Sequence, residues 1–344
     1  MKNSEPTVAF VYLGNKLPRY FLRNLSFFRK TFPQQRLEVI VDNPRTEKEL
    51  LDRGVDCFNV IHKRGWEPNS LSDALDHDLR FRSGFWAKTL VRFLALQMFI
   101  TDKQMENVLH IESDVLVLPS FPFDKFKQIK QGLAFPLESP TLGIASTLFI
   151  KNVNAINLLC DFSAAEVKRD PKTTDMKVLG NLYRISPEKV FLLPTFFNRQ
   201  QVREEFTNLK VVNEILRNGK LFDGIFDSVS IGQFFFGIDP RNNRGFVRRY
   251  INDRSHLIEV PKLRFHVYNS GVKVSKSLTE KPTGELYSLH IHSKDFSAFN
   301  YPFNKRRFQR LIESSNNGPV IRFNSLIFVL QLISFISRKF YVFK

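Results

Sequence analysis

Short apolar runs alternate with amphipathic segments along the chain as far as residue 194. The apolar runs have the character of buried strands and fall at residues 8–13, 37–41, 57–61, 108–111, 133–135, 143–150 and 190–193. The segments between them repeat their apolar residues at helical spacing, at 18–30, 46–53, 86–100, 152–168 and 175–182. This alternation predicts βαβ units, and therefore an α/β fold with a mostly parallel sheet flanked by helices.

The pattern loosens after Pro194. Residues 195–285 are rich in Asn, Arg, Gly and Phe and contain one compact helical candidate, at 228–236. Open α/β sheets bind their ligands beyond the carboxyl ends of the strands. We therefore expect a loop-rich, basic C-terminal part whose loops cover that edge of the sheet.

The most informative stretch runs from Val108 to Leu118, where an apolar strand ends in Glu112 and Asp114 before apolar residues resume. Side chains two apart on a strand share a face, so both carboxylates are expected together at the sheet edge. They repel each other unless a cation lies between them, and Mg²⁺ typically binds one or two carboxylates together with substrate phosphates. The alternative interpretation is a strand end with two solvated acids.

Cationic and imidazole side chains occur at two further places. Lys88 and Arg92 are four apart on a predicted helix, so they share a face that suits a diphosphate, although isolated they would form a solvated helix face. His290 and His292 alternate with apolar residues ahead of Lys294, and both imidazoles therefore leave one face of a strand. They are candidates for a metal ligand beside a phosphate clamp; the alternative is a structural pair.

Two acids lie near the helical candidate at 228–236. Asp227 directly precedes it, where an Asp commonly caps the helix. Asp223 or Asp227 is otherwise a candidate to meet an acceptor substrate. The glycines form neither a dinucleotide-binding fingerprint nor a P-loop, and the two cysteines, Cys57 and Cys160, form no spacing motif and are expected to be free thiols.

The order of these features resembles GT-A fold glycosyltransferases in the layout of glycogenin-like and lipopolysaccharide sugar transferases. A first strand ends in Leu13-Gly14-Asn15, and an Arg-bearing helix leads into VLHIESDVLVL. GIASTLFIKN, Thr174-Asp175-Met176 ahead of VFLLP, and LHIHSK follow in that order. The resemblance covers residues 6–295. The chain departs from it at Glu112, where the family usually has the first Asp of Asp-x-Asp.

The resemblance implies a nucleotide-sugar donor as cosubstrate and Mn²⁺ or Mg²⁺ as cofactor. Asp114 would be the main metal ligand, with Glu112 beside it and His290 or His292 completing the shell. Lys294 and Arg92, with Lys88, would hold the diphosphate. The nucleoside would face Gly14, Asn15 and Asp42. Among the acids near the acceptor, Asp175 ranks first, ahead of Asp227 and Asp223.

Positive charge is unevenly distributed along the chain. The chain has a formal net charge of +17. From Arg241 to Lys344 there are 19 Lys and Arg against 6 Asp and Glu, so most of the surplus lies in the last third. The apolar segment 326–336 lies there, flanked by Arg322, Arg338, Lys339 and Lys344. It is shorter than the roughly 20 residues needed to span a bilayer, so it suits either an interfacial membrane segment or a helix docked on the core.

The resemblance implies a GT-A catalytic domain at 1–295, with a nucleotide-sugar-binding half at 6–120 and an acceptor half at 121–295. The charge pattern and the apolar segment predict a basic, apolar extension at 296–344. The start of the chain shows no signal peptide pattern, which predicts a cytoplasmic protein, peripheral on the cytoplasmic face of the membrane. We expect transfer to a glycan or lipid-linked acceptor in cell-envelope polysaccharide synthesis, an anionic membrane surface as partner, and no nucleic acid.

Two other functions fit parts of the pattern. A nucleotidyltransferase also pairs acidic metal ligands with basic phosphate clamps, but no Gly-rich, Arg- or Lys-bearing loop follows the first strand. A nucleic-acid-binding protein would need aromatics interleaved with its basic residues. Only the clusters at 248–250 and 305–308 offer that arrangement.

Overall fold

The computed structural model describes residues 5–76, 84–239, 241, 246–268, 271–276, 281–296, 305–314 and 321–323. The strands are β1 (Thr7–Tyr12), β2 (Leu37–Val41), β3 (Cys57–Asn59), β4 (Val108–Ile111), β5 (Val115–Val117), β6 (Leu133–Phe135), β7 (Leu137–Ser139), β8 (Leu142–Gly143), β9 (Thr147–Ile150), β10 (Val190–Leu192), β11 (Gly224–Ile225), β12 (Phe246–Arg248), β13 (Phe265–Tyr268), β14 (Gly271–Ser275), β15 (Pro282–Leu286), β16 (Ser288–His290) and β17 (Ile321–Phe323). The α-helices are α1 (Arg19–Thr31), α2 (Pro44–Leu51), α3 (Asn69–Ser72), α4 (Phe85–Asp102), α5 (Val153–Arg169), α6 (Asp175–Ile185), α7 (Lys210–Phe222), α8 (Ser230–Phe236) and α9 (Lys305–Ser314).

The central sheet has seven strands in the order β10-β6-β9-β4-β1-β2-β3. β1 runs parallel to β2 and β4, β2 to β3, and β6 to β10, whereas β9 is antiparallel to both of its neighbours. The predicted α/β fold with a mostly parallel sheet is therefore confirmed. Because β1, β2 and β4 point the same way, the segments that follow them meet at one edge of the sheet.

Apolar side chains cover the sheet on both faces, which explains the near-continuous apolar runs in its strands. On β1, Phe10 belongs to a cluster with α1, where its ring centroid lies 5.6 Å from that of Phe21 and 5.8 Å from that of Phe28. The neighbouring Ala9 belongs to the opposite cluster, which includes Phe99 of α4. Successive side chains of β1 thus pack into two different cores, one on each face of the sheet. The helices that cover these cores fix the sheet in position.

Most predicted elements have the expected type, and their boundaries agree with the prediction or differ from it by up to three residues. The run at 143–150 is an exception, because it divides into β8 and β9. Residues 195–285 contain more regular structure than the sequence pattern predicted: α7 and the four-stranded sheet β11-β15-β14-β13 lie there. α7 begins without a side-chain cap at Leu209, so the usual start signal for a helix is missing from the sequence.

The remaining expectations concern the thiols and the tail. Both cysteines, Cys57 and Cys160, are free. No helix in the described ranges is long and apolar enough to cross a membrane. The apolar segment 326–336 lies outside the described residues, and the proposed division near residue 120 stays a prediction.

Candidate active site

A cavity of about 440 Å³ lies at the carboxyl edge of the central sheet. It is bordered by the end of β1 and by the segment that follows β4. The candidate site residues that line it are Lys88, Arg92, Glu112, Asp114, Asp175, His290, His292 and Lys294. The fold therefore collects residues from four distant parts of the sequence into one cavity.

The two carboxylates after β4 lie in a tight turn rather than along an extended strand. The Val115 N–H donates to the Glu112 carbonyl at 2.9 Å, and β5 starts directly afterwards. Asp114 is only 6 % exposed and the Glu112 side chain 16 %, so the alternative of two solvated acids is wrong. The turn, and not the alternation of a strand, brings the carboxylates together.

His290 reaches this turn because β16 pairs antiparallel with β5, with His290 opposite Val115. The Ile291 N–H also donates to the Asp114 carbonyl at 2.8 Å. The imidazole Nε2 consequently lies 3.3 Å from Asp114 Oδ2 and 3.6 Å from Glu112 Oε2. One ligand atom from each of the three residues lies within 4.8 Å of the other two.

The chemistry of this cluster fits a divalent cation. His290 Nδ1 lies 2.9 Å from the Ser228 carbonyl oxygen, which can only accept, so Nδ1 donates to it and Nε2 is the nitrogen available to ligate a cation. Two carboxylates with one such imidazole form a donor set suited to Mn²⁺, while Mg²⁺ prefers oxygen alone. His292 lines the cavity, but its Nδ1 receives the Asp239 N–H at 3.3 Å. Among the described residues the geometry therefore favours His290 over His292.

Arg92 has a role that the sequence did not reveal. Its guanidinium is buried and donates to both Glu112 and Asp175. Burial alone would raise the pKa of Glu112, but Arg92 and then His290 lower it to about 2. Burial raises the pKa of Asp175, and Arg92 opposes that rise. Arg92 thus holds two carboxylates of the site in place, and its contact with a diphosphate stays a prediction.

The two lysines remain on the cavity wall. Lys88 lines the cavity from the first turn of α4. Burial raises the pKa of Asp42, and the charge of Lys88 opposes that rise. Asp42 accepts the Gly14 N–H at 2.8 Å, which fixes the turn after β1. The Lys294 ammonium donates to Asp114 Oδ2 and lies 5.4 Å from the ring centroid of Tyr20. Gly14, Asn15 and Asp42 are not among the residues that line the cavity, although Leu13 is.

The two acids expected near an acceptor have other positions. Asp223 ends α7 in the left-handed region and pairs with Lys276 at 2.5 Å, with its side chain 68 % exposed. Asp227 is buried and accepts three backbone N–H groups, from Ile231 at 2.9 Å, Gly232 at 2.7 Å and His290 at 2.9 Å. Neither lines the cavity. Asp227 therefore anchors α8 to the backbone of His290.

Gly232 makes that anchoring possible. A Cβ at this position would lie 1.9 Å from the His290 carbonyl oxygen, so only glycine permits α8 to approach β16 so closely. The close approach brings the free N–H groups at the start of α8 onto Asp227. Backbone packing against α8 thus supports the position of His290.

Sequence reasoning missed Glu138. It lies on β7 and lines the cavity, and its Oε1 is 2.8 Å from His256 Nε2. Its Oε2 is buried and has no hydrogen-bond partner among the described residues. A single acid inside the apolar run that follows β6 was the available signal, of the same kind that singled out Glu112. Gln233, Tyr12, Tyr20 and Trp86 also line the cavity.

No family model and no curated protein matches the chain. Among solved structures, the chain is similar to the PaToxG glycosyltransferase at 15 % identity, covering 53 % of this chain and 70 % of that one, with a TM-score of 0.38. It is similar to the galactosyltransferase LgtC in complex with donor and acceptor sugar analogues at 14 % identity, covering 62 % and 82 %, with a TM-score of 0.40. A cytidylyltransferase from Leptospira borgpetersenii serovar Hardjo-bovis matches at 10 % identity, 56 % and 77 % coverage and a TM-score of 0.33. Both glycosyltransferases and a nucleotidyltransferase are thus among the solved structures to which the chain is similar.

Proposed function

We propose that the protein is a metal-dependent glycosyltransferase with a nucleotide-sugar donor. The observation that carries this proposal is the cluster of Glu112, Asp114 and His290 beside a cavity lined by two lysines at the carboxyl edge of a mostly parallel sheet. In glycosyl transfer the costly negative charge develops on the departing diphosphate, so cationic groups at that point lower the barrier. Mn²⁺ or Mg²⁺, when bound to the cluster, supplies such a charge.

The donor end of the cavity has the features that a nucleoside diphosphate requires. Lys88 and Lys294 supply ammonium groups for the phosphates. Tyr12 and Trp86 provide aromatic surface for a base. The turn held by Asp42 and Gly14 places the end of β1 against the same space.

The acceptor end is proposed to lie near Glu138 and Asp175. Glu138 presents a buried carboxylate oxygen without a hydrogen-bond partner among the described residues, and a sugar hydroxyl can donate to it. Its other oxygen is held by His256, which fixes the carboxylate orientation. If the enzyme inverts configuration, this carboxylate can take the proton of the acceptor hydroxyl as its oxygen bonds to the anomeric carbon and the diphosphate departs.

Glu138→Gln is expected to lower the rate of sugar transfer by about 10²-fold, the effect of losing one positioned general base. The donor should bind with unchanged affinity, because the substitution leaves the lysines and the metal cluster intact. Transfer rates and donor titration by calorimetry give the two quantities. Equal rates for the variant and the wild type would show that Glu138 has no part in the acceptor site.

A thermal-shift panel of UDP-, GDP-, CMP- and dTDP-sugars tests the donor, each with Mn²⁺ and with EDTA. We expect the sugars of one nucleoside to stabilise the protein, and only when the metal is present. A ligand at 100 times its Kd adds about 2.7 kcal/mol to the free energy of unfolding. Nucleoside triphosphates belong in the same panel. Stabilisation by a triphosphate alone would instead favour a nucleotidyltransferase.

We further propose a glycan or lipid-linked acceptor in envelope polysaccharide synthesis, with attachment to an anionic membrane through the basic tail. A short apolar segment binds membranes marginally, and a basic patch supplies the second signal that stable attachment needs. Residues 326–336 and Arg338, Lys339 and Lys344 provide both.

Removal of residues 324–344 is expected to abolish flotation with phosphatidylglycerol vesicles at low salt and to leave donor hydrolysis intact. The cut follows β17, because this strand pairs with β12 and belongs to the fold. Vesicles of phosphatidylcholine alone serve as the uncharged control. Full-length protein that ignores both kinds of vesicle would contradict the attachment.

A further inference from the structure

Asp114 already has a cationic partner from the protein itself. The Lys294 ammonium donates to Oδ2 of Asp114, the same oxygen that lies 3.3 Å from His290 Nε2. The Asp114 side chain is 8 % exposed and that of Lys294 is 17 % exposed. An ammonium group thus neutralises a buried carboxylate at the position where the proposed metal ion would bind.

The backbone of Lys294 is held in place, whereas its long side chain can change conformation. Its φ of 63° is in the left-handed region, which non-glycine residues adopt only where the surrounding structure imposes it. The Lys294 N–H donates to the Ile291 carbonyl at 2.8 Å, and its carbonyl accepts the Phe296 N–H at 3.1 Å. The four-carbon stem still allows the ammonium to swing along the cavity wall.

The other cation of the cluster has a different setting. Arg92 is buried and bridges two carboxylates, Glu112 and Asp175, so its release would leave both unpaired. Lys294 pairs with Asp114, and its side chain is 17 % exposed against 10 % for Arg92, so it lies nearer to solvent. Of these two cations, Lys294 is therefore the one that an incoming ion can displace.

We propose that Lys294 is an internal counter-ion that a divalent metal displaces from Asp114, and that the freed ammonium then binds the donor diphosphate. This inference rests on the proposed metal-dependent function. A metal and an ammonium on one carboxylate oxygen repel each other strongly at short range. A diphosphate supplies new anionic oxygens for the ammonium, so metal and nucleoside diphosphate bind with positive coupling and the metal alone binds weakly.

Mn²⁺ binding to the full chain, followed by the EPR signal of free Mn²⁺ without nucleotide, tests the displacement. Lys294→Met and Lys294→Gln are expected to bind Mn²⁺ at least about tenfold more tightly than the wild type, because no ammonium must leave. Lys294→Arg should stay close to the wild type because it keeps the charge. Lys88→Met is the matched control, since Lys88 lines the same cavity but acts on Asp42, and its Mn²⁺ affinity should not change.

The same variants, titrated with UDP, GDP, CDP and dTDP in saturating Mn²⁺, test the second half. Lys294→Met should lose at least about tenfold in affinity for the diphosphate that the wild type prefers. General damage to the fold would not make one variant bind the metal more tightly and the diphosphate more weakly. Equal Mn²⁺ affinity of the wild type and both neutral variants would overturn the exchange while leaving the proposed function standing. Absence of Mn²⁺ binding in all variants, with and without diphosphate, would overturn the metal site itself.

Discussion

Asp114→Asn is expected to abolish nucleotide-sugar turnover, by at least about 10³-fold, while the protein remains folded. The amide has the shape of the carboxylate but not its charge, and a hard divalent ion depends on that charge. A loss of this size corresponds to about 4 kcal/mol of transition-state stabilisation. The backbone contact of Asp114 with Ile291 is unaffected by the substitution, so β5 and β16 should keep their pairing.

The measurement is the rate of nucleoside diphosphate release with Mn²⁺, together with circular dichroism to verify the fold. Asp223→Asn is the control, because Asp223 is an exposed carboxylate outside the cavity that pairs with Lys276. It should retain wild-type activity. An active Asp114→Asn enzyme would remove Asp114 from the centre of the site.

Arg92→Met is expected to cost about 3–5 kcal/mol of unfolding free energy, the range for removing one partner of a buried ion pair. Glu112 and Asp175 would face each other in a buried site without their shared cation. The comparison is Arg53→Met, which removes an arginine whose side chain is 53 % exposed and paired with Glu49, itself 35 % exposed. That control should change stability by no more than about 1 kcal/mol.

Urea unfolding across pH separates this explanation from simple loss of packing. In the wild type, Arg92 and then His290 outweigh the effect of burial and lower the pKa of Glu112 from its ordinary value of 4.5 to about 2, so the stability that this group contributes is present above pH 4.5 and is lost as pH falls toward 2. In Arg92→Met the unpaired carboxylates are most unfavourable when ionised. The stability difference between the two proteins should therefore be largest at neutral pH and shrink below pH 4.5. A difference that is constant with pH would mean that Arg92 acts through packing.

The main sheet could be predicted from the sequence because its strands are short apolar runs separated by helical patterns. The same reasoning found Glu112 and Asp114, since acids that directly follow a buried strand interrupt an otherwise apolar pattern. It also selected the segment of His290, where polar and apolar residues alternate.

The contacts between these segments could not be predicted from local sequence patterns. β5 pairs with β16 across more than 170 residues of sequence, and only that pairing shows which histidine meets Asp114. The helix face that Arg92 shares with Lys88 predicted a diphosphate clamp or a solvated face, whereas the burial of Arg92 depends on Glu112, which follows β4, and on Asp175, which begins α6. In the sequence, Glu138 is marked only as a single acid within an apolar run. Its place in the site is visible only in the structure, where it lines the cavity and contacts His256.

The most direct test of the proposed function is nucleoside diphosphate release from the four classes of nucleotide sugar by the purified full-length protein. We predict slow hydrolysis of one donor class with Mn²⁺ or Mg²⁺, no release in EDTA, and recovery when Mn²⁺ is restored. Release at the same rate in EDTA, or no release from any donor with either metal, would contradict a metal-dependent glycosyltransferase.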